Sequence, residues 1–94
     1  VSDNPLSRLP EAIGQLSELR ELHLRNNHLT TLPASVGHLR NLRQLDLRGN
    51  PLTELPAELA ELPMLDKIDL RWVTALKPPD WLARLAARGC LVYL

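Results

Sequence analysis

Arg25, Arg48 and Arg71 stand 23 residues apart, and each follows, two places on, a residue of the set His23, Asp46 and Asp69. A guanidinium is a planar fork of donors that grips carboxylate or phosphate oxygens in pairs. If the repeat brings these residues to one sheet face, the neighbouring carboxylates lie close enough for cross-strand ion pairs that hold the forks in fixed directions. A third column of Glu21, Gln44 and Lys67 lies beside them, and Trp72 stands at the edge as an aromatic anchor. The chemistry of such a strip is partner binding, with fixed donors for carboxylate or phosphate groups. The competing reading is a solvated face of weak exposed pairs.

Catalytic and metal chemistry are poorly served. His23 beside Asp46 has the makings of a base and its orienting carboxylate, but no nucleophile accompanies them. Ser2 aligns with Arg25 at the start of the chain, Cys90 lies three units away, and no GxSxG, GxxxxGKS/T, HExxH or CxxC occurs. His23, His28 and His38 fall at different repeat positions, so they make no column of metal ligands. No enzyme activity, metal or cofactor is expected. By the same spacing Cys90 falls in the outward column of Glu21, Gln44 and Lys67, as an accessible thiol or an ordinary cap residue.

Eleven Lys and Arg balance eleven Asp and Glu, a net charge of +0 that leaves no surplus for a nucleic-acid backbone or an anionic membrane. No apolar run approaches the ~18 residues of a membrane span, and no basic stretch with an apolar core marks a signal peptide. The lone Cys90 forbids an intrachain disulfide, and no Asn-x-Ser/Thr sequon occurs. A protein partner in the cytoplasm is the expectation, with neither nucleic acid nor membrane. The core must be built almost entirely from leucine: the chain has 23 of them and no phenylalanine.

The elements that position these residues follow from self-similarity. Shifted by 23 residues, the chain superposes on itself. Asn4, Asn27 and Asn50 align, as do Leu6, Leu29 and Leu52, and Pro10, Pro33, Pro56 and Pro79. Apolar columns follow at Ile13, Val36, Leu59 and Leu82, at Leu16, Leu39, Leu62 and Leu85, and at Leu19, Leu42 and Leu65. The period ends each unit with Leu22, Leu45, Ile68 and Leu91, then Leu24, Leu47, Leu70 and Tyr93. In Leu22-His23-Leu24 and its equivalents apolar residues alternate, as in a strand with one buried face. From Pro33 to Leu42 and Pro56 to Leu65 they recur every three residues, as in a short α or 3₁₀ segment entered through proline. A unit this small cannot enclose its own leucines, so units stack into a coil with parallel strands on the concave side. Asn27 and Asn50, just after the strand, are placed to satisfy turn backbone groups.

Leu19-Arg20-Glu21-Leu22-His23-Leu24-Arg25-Asn26-Asn27-His28-Leu29 resembles the LxxLxLxxNxL core of the leucine-rich-repeat family, and Leu42 to Leu52 matches it again. The segments from Leu9 to Leu16 and from Leu32 to Leu39 are similar to the LPxxIGxL element of the intracellular Ras-suppressor-like class and its bacterial relatives. The resemblance implies an α/β solenoid with short parallel strands on the concave face and short α or 3₁₀ segments on the convex face. It also implies protein recognition through the concave face without catalysis, either alone or as the recognition domain of a larger kinase, GTPase, ubiquitin ligase or effector delivered into a host cell.

The unit from Val73 departs from the pattern, with Val73 for Asn, Ala75 for Leu and Pro78 for Leu. Residues 1–94 therefore read as one domain, with repeats at 1–26, 27–49 and 50–72 and a degenerate C-terminal cap at 73–94. Trp81 is expected to cover the last layer of leucines. Trp72, in the position of Asn26 and Gly49, is either a binding anchor or cap packing. Val1 aligns with Leu24, so an open strand edge at that end favours self-association.

Overall fold

The computed structural model describes residues 6–94. The alternating triplets form strands β1 (Glu21–His23), β2 (Gln44–Asp46) and β3 (Lys67–Asp69), and a fourth, β4 (Leu91–Tyr93), completes one parallel sheet in the order β1-β2-β3-β4. Each strand lies beside its sequence neighbour, because each unit is one turn of the coil. The ladder is regular: Leu24 N–H donates to Asp46 O at 2.8 Å, Leu47 N–H to Asp69 O at 2.9 Å and Leu70 N–H to Tyr93 O at 2.7 Å. Pairing of Glu21 with Gln44 and of Gln44 with Lys67 puts the outward residues in the columns expected from the period.

The return segments are 3₁₀ turns at Glu11–Gln15, Ala34–His38 and Ala57–Glu61, with one α-helix, α1 (Leu82–Ala87), in the last unit. Pro10, Pro33 and Pro56 precede the three turns with φ of −70°, −69° and −69°. Proline fixes φ near this value and gives up a donor that the first turn leaves unused. Its carbonyl then accepts the first bond, as from Val36 N–H to Pro33 O at 3.2 Å. Adjacent turns pack closely. A Cβ on Gly37 would stand 2.6 Å from Glu58 Cβ, so only glycine lets these turns approach so near.

Leu24, Leu29, Leu39, Leu42, Leu47, Leu52, Leu59 and Leu62 are wholly buried, one continuous leucine core running through the stack. Burying one such side chain stabilises by about 2 kcal/mol. The first described layer is less covered: Leu16 is 51% exposed, whereas Leu39 and Leu62 in the same column are at 0%. The open edge expected at Val1 lies outside the described residues.

The asparagines join the layers as the sequence predicts. Asn50 Nδ2 donates to Leu24 O at 2.8 Å and to Leu47 O at 3.0 Å, while its Oδ1 accepts from Leu29 N–H at 3.2 Å. Asn27 Nδ2 donates to Leu24 O at 2.9 Å, and its Oδ1 accepts from Leu6 N–H at 3.3 Å. Both are buried, so one side chain serves backbone groups of two units that water cannot reach.

The last unit departs from the extrapolated period. Val92, not Leu91, pairs with Ile68, and Leu91 pairs with Lys67. The cause is the α-helical turn and its ending. Cys90 N–H bonds to Leu85 O at 3.0 Å and Gly89 N–H to Ala86 O at 3.1 Å, with Gly89 at φ +99°. This 6→1 and 5→2 pair is a Schellman closure, which requires a left-handed residue. The last unit is therefore one residue longer, and a one-residue slip exchanges the two faces of a strand. Cys90, expected in the outward column, is buried in the core, while Leu91 and Tyr93, expected inward, face out. Trp81 is half-buried against the core.

Candidate functional site

The strand face gathers the residues that the repeat spacing singled out. Glu21, His23 and Gln44 are exposed, Arg25, Asp46, Arg48 and Lys67 are half-buried, and Asp69 is buried. Arg71 and Trp72 are exposed at the C-terminal end of the strip.

The ion pairs run mainly along each strand rather than across strands. Arg48 donates from Nε to Asp46 Oδ1 at 2.9 Å and from Nη2 to Asp46 Oδ2 at 2.7 Å. Arg71 repeats the arrangement on Asp69, from Nε to Oδ1 at 3.0 Å and from Nη2 to Oδ2 at 2.8 Å. The backbone N–H of each arginine also donates to its aspartate, at 3.2 and 3.1 Å. A residue and its second neighbour share one strand face, and here the aspartate is also close enough to accept from the backbone beyond it. A cross-strand contact joins Arg48 Nε and Asp69 Oδ2, at 3.4 Å. His23, considered with Asp46 as a catalytic pair, has its Nε2 at 2.9 Å from Glu21 Oε1. Among the described residues, no group of His, Cys, Asp and Glu has metal-binding geometry.

Burial by itself would raise the Asp46 and Asp69 pKa values. Side-chain and backbone hydrogen bonds from Arg48 and Arg71, with their charges, outweigh it and hold both carboxyls below the ordinary 3.8. Burial pushes the Cys90 thiol up, which agrees with its inward position.

The turn after each strand carries a left-handed residue: Asn26 at φ +57°, Gly49 at +71° and Trp72 at +62°. Asparagine and glycine tolerate this conformation, whereas a bulky side chain is strained in it. Trp72 nonetheless leaves 66% of its surface exposed. Its ring packs not on the cap core but beside guanidiniums, with Arg48 Cζ and Arg71 Cζ each 5.9 Å from the ring centroid. Tyr93 joins the cluster through the slip in register, with Lys67 Nζ and Arg71 Cζ each 5.3 Å from its ring. Period counting misses Tyr93 because it places it inward. The signal that could have found it is Leu82-Ala83-Arg84-Leu85-Ala86-Ala87 followed by Arg88-Gly89, a helix-forming run closed by glycine.

The family model for a leucine-rich repeat region matches residues 3–88. The chain belongs to the leucine-rich-repeat family. A solved leucine-rich-repeat protein of Leptospira interrogans is similar over 100% of this chain, at 33% identity and a TM-score of 0.88. The chain spans 24% of the length of that protein. Comparison with curated proteins gives no match. The leucine-rich-repeat fold is in general that of a protein-interaction module, and such modules are typically non-catalytic.

Proposed function

We propose that this leucine-rich-repeat chain binds a protein partner on its concave strand face, in the cytoplasm of its own or a host cell, without a cofactor. The observation that carries the reading is the strip itself. Guanidiniums held in fixed directions by buried or half-buried aspartates lie beside an exposed, strained tryptophan, and neither feature helps the leucine core. Preorganised arginine and exposed tryptophan are the residue types that dominate interface energies.

The test is photo-crosslinking from cells. A crosslinking residue at Gln44 or Glu21 is expected to capture a discrete partner, and one at His38 or Glu61 on the opposite side is not. Capture from the convex positions alone would overturn the reading. A second reading is that the strip serves a longer chain, as the recognition domain of a kinase, GTPase, ubiquitin ligase or effector. The full-length gene product tests it, and a chain with no other domain would sink it.

A further inference from the structure

The strip's C-terminal half has chemistry that narrows the partner. A guanidinium has two edges able to receive a carboxylate: one formed by Nε and an Nη, the other by the two Nη groups. In Arg48 and Arg71 the first edge is filled by Asp46 and Asp69. Among the described residues, no partner accepts from Nη1 of either arginine, so the second edge stays open. Arg71 is held further, with its Cζ 5.3 Å from the Tyr93 ring and 5.9 Å from the Trp72 ring. Lys67 Nζ also lies 5.3 Å from the centre of the Tyr93 ring. Two cations, Arg48 and Arg71, thus engage the two carboxylates, and Lys67 has neither of them as a partner. The Asp69 hydrogen bond and charge raise the Arg71 pKa, and the nearby Arg48 charge opposes that rise. An arriving anion offsets the two guanidinium charges.

Trp72 is the second, independent observation. A left-handed tryptophan is strained, and its exposure forgoes hydrophobic burial, so folding does not account for its presence. The equivalent turns use Asn26 and Gly49. A partner that covers the indole accounts for it.

We propose that Arg48, Lys67, Arg71, Trp72 and Tyr93 form the docking site for an acidic peptide segment, whose carboxylates take the open guanidinium edges and whose aliphatic atoms cover the two rings. This rests on the concave-face reading above. A peptide fits better than a nucleic acid, because a net charge of +0 gives no extended basic surface to follow a phosphate backbone.

The test is a titration followed by NMR at the Trp72 indole N–H and the Arg48 and Arg71 Nε–H groups, with the Trp81 indole as internal control. The probe is oligoglutamate, compared with oligoglutamine of equal length and with oligouridylate. Saturable shifts at Trp72, Arg48 and Arg71 with oligoglutamate alone, weakening as salt rises, are expected. Lys67→Glu and Trp72→Asn leave both aspartate–arginine pairs in place, and each should weaken binding about tenfold while the chain stays folded. Equal shifts with oligoglutamine, tighter binding of oligouridylate, shifts confined to the convex side, or no shift would each overturn the proposal. So would movement of the Trp72 signal on concentrating the chain alone, which would make a second copy the occupant. If a partner captured at Gln44 binds as tightly to Lys67→Glu and at high salt, the acidic ligand is wrong while the concave-face reading survives. If capture occurs only from the convex side, that reading itself has failed.

Discussion

At the scale of single residues, two kinds of polar group decide how this chain behaves. Asn50 is buried and bonded to backbone groups of two consecutive units. Asn50→Ala leaves Leu29 N–H and two carbonyls to compete for no replacement, and should cost about 3 kcal/mol in urea unfolding. Unchanged stability would mean that water substitutes for the amide. Asp46 and Asp69 make the fold acid-sensitive. Their folded pKa values lie below 3.8, so the unfolded chain takes up protons first as the pH falls. Their stabilisation is complete above about pH 5 and is lost as the pH drops through the folded values. Melting temperature should therefore fall on acidification below that point and stay level above it, and Asp69→Asn should flatten the acid limb. The asparagine roles are legible in the sequence because each turn poses the same backbone problem. Pairing along the strand is less legible, since a repeat sets Arg25 and Arg71 on the strands beside Asp46 as well as Arg48 on its own, and only geometry shows the bidentate pair with Arg48.

At the scale of elements, the last unit shows where period counting stops working and why. Leu82 and Leu85 keep the 23-residue spacing from Leu59 and Leu62 and are buried like them, so the sequence places the start of the last return correctly. Beyond Leu85 an α-helical turn and its Schellman closure take up one more residue than a 3₁₀ return, and every later residue changes face. That difference is set by hydrogen bonding at Gly89, which aligned leucine columns do not report. Two measurements check it. Gly89 has open space for a Cβ but φ +99°, so Gly89→Val should destabilise through backbone strain alone, by about 1–3 kcal/mol in thermal unfolding. The Cys90 thiol, buried and raised in pKa, should react with an alkylating reagent far more slowly in the folded chain than in urea. Equal rates would restore the outward register.

At the scale of the whole molecule, a solenoid is held by contacts between successive layers, and stability need not be uniform along it. The middle layers have neighbours on both sides, and their leucines are wholly buried. In the first described layer Leu6, Ile13 and Leu19 are only partly buried and Leu16 is half-exposed. In the last described unit Leu82, Leu85 and Cys90 are buried, with Trp81 and Val92 partly buried against them. Arg88 adds a hydrogen bond from Nη2 to Leu62 O. Protection from hydrogen exchange should thus rise from the first return toward the later strands. Amides of the first return, such as Ile13 and Leu16, are expected to exchange through local opening, and those of Leu47 and Leu70 only through global unfolding. Because the cation and aromatic cluster sits in the better-held half, its geometry should persist while the first layer opens. A peptide docked at Trp72 would then bind a preorganised surface with little ordering cost. Uniform exchange from the first return to β4 would contradict this, and would place the proposed site on a coil that opens as a single unit.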